Sequence, residues 1–221
     1  MKTTIIKLFL VLLLIVGLMM PVAANQIRQV TWPDLVPKMQ VIEDPFRAMP
    51  QDQLKALGNI IWVRDRQAKK DKPLDDAAVK KARELTQQLT KAGLDVDRLI
   101  AKYDEMRQLS RRRIQPVAEL NGQRIRMPGY ALPLEFEGTK IIEFLLVPYV
   151  GACIHVPPPP ENQMVHVLAD KPFEVKGLYT PVWVTGEMSV GKITRSLYFV
   201  DGSADVDAGY TLAASSVELY K

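Results

Sequence analysis

The stretch ALPLEFEGTKIIEFLLVP, Ala131 to Pro148, decides the fold. Glu137-Gly138 is a turn signal between two β-rich runs, Ala131–Phe136 and Lys140–Pro148. The second run, Ile141-Ile142-Glu143-Phe144-Leu145-Leu146-Val147, is apolar almost without interruption. Strands with one wet face alternate, whereas a continuous apolar run belongs to a central strand covered on both faces. The stretch therefore predicts a hairpin whose second strand lies in the core. Downstream, Val165–Leu168, Val182–Met188, Leu197–Val200 and Tyr210–Leu219 read as further short strands. Asn121-Gly122 gives a type I′ turn signal between short β-like runs. Trp183, Tyr198 and Tyr210 alternate with apolar neighbours and are expected in the core.

Upstream of residue 115 the period changes from two to 3.6. A first helix is expected after Pro50, with Leu54, Leu57, Ile60 and Ile61 at helical spacing. A second runs from Asp75, a good N-cap, through Val79, Ala82, Leu85 and Leu89, and Gly93 stops it. A third starts at Asp95 and carries Leu99, Tyr103 and Met106. The short Ala92–Asp95 link predicts antiparallel packing of the last two. Arg111-Arg112-Arg113 ends the third helix, where cations are favourable, so a solvated helix end is preferred over an anion or partner site.

The expected fold class is α+β: N-terminal helices forming a helical hairpin, then a small antiparallel β-barrel for which an OB-like form is the candidate. The expected divisions are 1–24, a signal peptide; 25–50, an extended segment; 51–115, helical; and 116–221, the barrel domain. The first division rests on Lys2 and Lys7, the apolar run Leu8–Met20, Pro21, and the small residues Val22-Ala23-Ala24 before a cut. Cleavage there predicts a periplasmic protein with no membrane span left in it. Losing Lys2 and Lys7 lowers the formal net charge from +4 by two, which argues against a nucleic-acid partner.

One cysteine, in an exported chain, cannot close an internal disulfide. Cys153 shares the stretch GACIHVPPPPENQMVHV, Gly151 to Val167, with the only two histidines, His155 and His166. If Cys153-Ile154-His155 is extended, thiol and imidazole point to one face, and Met164–Val167 can return as a neighbouring strand carrying His166. Pro157, Pro158, Pro159 and Pro160 favour a stiff polyproline II link. Three readings stay open. Cys153, His155 and His166 can bind a divalent metal, zinc first, with Glu161 as fourth ligand and Asp170 as the next carboxylate. They can be structural residues beside a rigid turn, with no metal at all. Or Cys153 can be a nucleophile with one histidine as its base, a thiol-dependent enzyme. Asn162 and Gln163 would brace the loop by hydrogen bonds. Asp201, Asp205 and Asp207 only faintly resemble a calcium loop and are expected in a polar hairpin.

Several blocks together resemble a known family: Trp32-Pro33-Asp34-Leu35-Val36-Pro37, RIRMPGYALP from Arg124, Glu143-Phe144-Leu145-Leu146-Val147-Pro148, the GACIHVPPPPENQMVHV stretch, VWVTG from Val182 and GYTLAASSVE from Gly209. The chain is similar in these to the bacterial exported family named domain of unknown function 3299. The resemblance implies a periplasmic or envelope protein, encoded beside MacB-like ABC transporter components, in some cases under zinc-dependent control. Many relatives are lipoproteins, but no lipobox cysteine stands at this chain's cleavage point. The reading this favours is a non-catalytic periplasmic accessory protein that binds zinc. The alternative is a metal-free adaptor whose proline-rich loop and Arg111–Arg113 contact a protein partner.

Overall fold

The computed structural model describes residues 26–69, 74–152, 158–174, 177–199 and 202–220. The expected signal peptide, Cys153, His155, Pro157 and Asp201 lie outside them. The chain divides into two compact units: Asp34–Val117, and the sheet unit formed by the chain up to Pro33 and from Ala118 on.

The first unit holds three helices, α1 (Gln51–Lys69), α2 (Asp76–Lys91) and α3 (Val96–Arg113), so the N-terminal helices are more than a hairpin. Their ends follow from local chemistry. The Asp75 carboxylate accepts from Ala77 N–H and that of Asp95 from Arg98 N–H, each satisfying a donor the helix cannot. Gly93, at φ +84°, lets the chain leave α2 in the left-handed region. Leu57, Ile60, Ile61, Leu89 and Val96 form the buried core of this unit, with Phe46, Leu85, Leu99, Ile100 and Tyr103 packed around it. Arg111, Arg112 and Arg113 occupy the exposed last turn of α3.

The second unit is a six-stranded sheet: β1 (Arg28–Gln29), β2 (Arg124–Glu137), β3 (Lys140–Val147), β4 (Val165–Phe173), β5 (Thr180–Phe199) and β6 (Gly202–Leu219). The order is β1-β2-β3-β4-β6-β5, and β5 also pairs with β2. The β2–β3 hairpin turns at Gly138, φ +62°, as the quoted stretch predicts. The fold is mixed α+β. The sheet is not purely antiparallel, because β4 pairs parallel with β6 and β1 parallel with β2. Parallel strands are joined by long crossovers rather than by tight turns, so no turn signal could announce either pairing.

Two further expectations are corrected. Val182–Met188 and the described part of the second run, 197–199, do not mark separate strands; both fall on β5, a 20-residue strand whose register with β6 shifts between Val190 and Ile193, while Val200 lies outside the described residues. Asn121-Gly122 does not join two strands. It links a 3-10 turn, Ala118–Leu120, to β2, and it docks on β5 through Gly122 N–H to Met188 O and Val190 N–H to Asn121 Oδ1.

Both faces of β3 are covered, as its composition requires. Phe144 and Leu146 point to one face, beside Val167 and Val165 on β4, which pair onward with Leu212 and Tyr210 of β6; all six are buried. Leu145 and Val147 point to the other face and pack with Leu132, Ala152, Met164, and with Leu197, Val206 and Ala208 from the far ends of β5 and β6. Tyr210 is core as expected, but Tyr198 is 77% exposed, because it alternates with the inward Leu197. Trp183 is half-buried and stacks on Tyr220, with the Arg126 guanidinium 4.9 Å from its ring centroid. At Gly186 a Cβ would stand 2.2 Å from Ala213 O, so only glycine lets β5 run this close to β6. Asp205 and Asp207 sit in β6, bound across the hairpin by Ser196 and Thr194. No helix among the described residues is long and apolar enough to cross a membrane.

Candidate functional site

The second face of the sheet holds a partly buried polar cluster, built from three strands. β3 contributes Glu143, β4 contributes His166, and the far part of β5 contributes Arg195. Alternation sets the face. Glu143, Leu145 and Val147 point the same way, and His166 is the register partner of Leu145. His166 therefore reaches Glu143 on the diagonal, a neighbour position within reach of long side chains. The register between β3 and β4 shifts between Ile141 and Glu143, at this point.

His166 Nε2 lies 2.5 Å from Glu143 Oε1, and Arg195 Nε donates to the same oxygen at 2.7 Å. The imidazole is fully buried, the Glu143 side chain is 12% exposed, and the Arg195 side chain is 39% exposed. Burial lowers the His166 pKa below its ordinary value, and the pull of Glu143 does not reverse this. Burial alone would raise the Glu143 carboxyl, but the bonds from Arg195 and His166 outweigh it and hold it below the ordinary range. The pair at neutral pH is thus a carboxylate receiving a proton in hydrogen bond from a neutral imidazole. Nε2 carries that proton, so Nδ1 keeps a lone pair. His166 Nδ1 is buried and has no hydrogen-bond partner among the described residues. Buried polar atoms are nearly always satisfied, so this nitrogen, like Arg126 Nε in the same unit, calls for a partner: a water, an ion or a reacting group.

The surroundings connect this ring with the loop singled out in the sequence. Ala152, the residue before Cys153, belongs to the apolar cluster on His166's face, and its carbonyl accepts from Tyr179 O–H at 2.5 Å. The chain is described again from Pro158. Pro158 and Pro160 are exposed and Pro159 is buried. Pro160 has the polyproline II backbone expected of the run, φ −59° and ψ 153°. Glu161 is partly exposed at the start of a 3-10 turn, Glu161–Gln163, and Asn162 is buried. Gln163 Nε2 donates to Trp32 O and Asn162 O, both at 3.0 Å, which ties the turn to the N-terminal segment. Asp170 is exposed on β4. Among the described residues no three His, Cys, Asp or Glu side chains converge on a point that could hold a metal. His166 is the one expected ligand that sits in a built environment; Cys153 and His155 lie outside the described residues.

Sequence reasoning missed Glu143 and Arg195. Glu143 left a signal: it is the single charge inside an otherwise apolar central strand. Arg195 left none. A cavity of about 620 Å³ lies instead in the helical unit between Pro45, Leu94, Arg98, Leu99 and Lys102, and its mixed charges and open wall converge on no group.

The family profile of DUF3299, described as a protein of unknown function, matches residues 32–219, and the chain belongs to that family. The crystal structure of a DUF3299 family protein from Pseudomonas aeruginosa is 28% identical, covering 89% of this chain and 97% of that one, with a TM-score of 0.45. No curated protein matches.

Proposed function

We propose that this DUF3299 protein is a non-catalytic periplasmic accessory protein that binds a divalent metal, zinc, beside an envelope ABC transporter of MacB-like type. The observation that carries the metal reading is His166: a buried imidazole, fixed by a carboxylate at one nitrogen and bare at the other. Metal-bound histidines characteristically give their second nitrogen to a carboxylate in this way. Cys153, His155 and His166 are the proposed ligands, with Glu161 as the fourth, a set of borderline-soft donors that suits zinc. The stiff proline run, braced by Gln163, would hold the ligand loop at low entropic cost. The periplasmic setting and the transporter rest on the leader-like N-terminus and on the family's envelope setting.

The fold proposed for this role is an OB-like barrel. Its support is the path of strand pairings, which runs from β2 through β3, β4, β6 and β5 back to β2, with the β4–β6 pair parallel. A second reading has a specific observation behind it. A carboxylate-oriented imidazole is also what a cysteine nucleophile needs from its base. Native mass spectrometry of the full chain, with Cys153→Ser and His166→Gln beside it, separates the two. One zinc per chain, lost in both variants, is the expected result. A zinc-free protein whose Cys153 alkylates rapidly at neutral pH only when His166 is present would replace the metal reading with the thiol one.

A further inference from the structure

We propose that residues 193–199 of β5 and 202–208 of β6 form a hinged strap: it turns at Gly191 and Gly209, is latched to β3 by Arg195, and lifts to uncover the second face of the sheet and the buried ring of His166. The inference is independent of the metal reading above. It concerns how the ring is reached rather than what occupies the site.

Strand pairing draws the boundary of the strap. Residues 182–187 of β5 pair with β2 on one side and β6 on the other. Residues 210–214 of β6 pair with both β4 and β5. Beyond them, 193–199 and 202–208 pair with each other, and no third strand joins them among the described residues. Lifting the two arms together therefore breaks no ladder bond to the rest of the described sheet. At the boundary Val190 faces Tyr210 and Ile193 faces Ala208, so Gly191 and Lys192 stand opposite Gly209. Each arm thus crosses the boundary at a glycine, the residue that changes its backbone angles at least steric cost. Neither glycine has a positive φ, and a Cβ at Gly191 would meet nothing within 4 Å. Turn geometry does not require glycine here, and at Gly191 close packing does not either; freedom at a hinge does.

The arms are braced to move as one body. Thr194 Oγ1 donates to Asp207 at 2.7 Å, Ser196 Oγ donates to Asp205 at 2.8 Å, and Lys192 Nζ pairs with Asp207 at 2.7 Å. On the inner side Leu197, Val206 and Ala208 are buried in one cluster with Leu132, Leu145, Val147 and Met164. Arg195 Nε donates to Glu143 Oε1 at 2.7 Å and latches the strap to β3. His166, the register partner of Leu145, points to this same covered face. A segment held by side-chain contacts and a latch, outside the ladder of the sheet, opens at lower free energy than the whole domain unfolds.

Hydrogen exchange read by mass spectrometry on the full chain tests the strap, with diethyl pyrocarbonate as the probe of His166. A lone two-stranded ribbon is marginally stable, so a lifted strap exchanges its amides. The amides of 193–199 and 202–208 should exchange as one block, about tenfold or more faster than those of 182–187 and 210–214. Arg195→Met removes a hydrogen bond between charged groups and should speed both the exchange of the block and the modification of His166 by about ten- to a hundredfold. Gly191→Val stiffens the hinge and should slow both. Strap amides that exchange no faster than 182–187, in the wild type and in Arg195→Met alike, would mean that the strap leaves only with global unfolding, and would overturn the proposal. A His166 modified at one rate however fast the strap exchanges would overturn it too. Should Arg195→Met fail to fold, the wild type and Gly191→Val carry the same comparison.

Discussion

The helical unit and the sheet unit each carry a cluster of charged side chains, and the two clusters are built on opposite terms. In the helical unit Arg64 grips Asp104 through two bonds, at 2.8 and 2.9 Å, and also holds Asp65, which Arg107 meets from α3 at 2.6 Å. Every charge has an opposite neighbour, and every side chain is about a third exposed. In the sheet unit one carboxylate serves an arginine and a fully buried histidine, and one ring nitrogen is left over. The first cluster is satisfied and solvated, so it clamps α1 to α3 and asks for nothing more. The second buries its imidazole fully and leaves one ring nitrogen unpaired, and a buried unpaired nitrogen is a place to look for a ligand. Charge density alone does not separate structure from function; the unfilled valence does.

The comparison can be broken most forcefully at the core of the sheet unit. Phe144→Ala is expected to cost about 3–5 kcal/mol, since the ring is fully buried on the central strand and packs edge-on against Phe173. Denaturant unfolding measures it, and a loss below about 1 kcal/mol would contradict the central place given to β3. The clamp of the helical unit predicts a smaller effect, since exposed pairs contribute only about 0–1 kcal/mol each. The bond from Arg64, then that from Arg107, holds the Asp65 carboxyl below its ordinary value. Its contribution is therefore fully present above the unfolded carboxylate pKa of about 3.9 and is lost as pH falls through the lowered folded value. Helical ellipticity followed through thermal melts from pH 6 to pH 2 should show flat melting temperatures down to about pH 4 and a decline below it. A decline that begins near neutrality would assign the pH sensitivity to another group.

The same two regions differ in how far they could be read from the sequence. The helices were legible because their signals are local: Asp75 and Asp95 cap, Gly93 stops, and Leu57, Ile60 and Ile61 recur at helical spacing. The β2–β3 hairpin was legible for the same reason, through Gly138 and the apolar run after it. What escaped were the non-local pairings. β4 lies parallel to β6 across the whole of β5, and β5 merges two short apolar runs into one long strand. Tyr198 was misread because alternation fixes that neighbours face apart, but not which of them faces in. At the site, the histidine could be found by its rarity. Of its partners, Glu143 left only its charge in an apolar run and Arg195 left nothing, because both come to the ring through strand register rather than through spacing in the chain.

The free nitrogen of His166 is the proposed ligand atom. The most direct measurement is anomalous diffraction at the zinc edge from crystals of the full chain grown with zinc. A single strong peak about 2.0–2.1 Å from His166 Nδ1 is expected, with Glu143 still bound to Nε2. A zinc peak elsewhere with His166 Nδ1 still bare, or no peak at all, would contradict it.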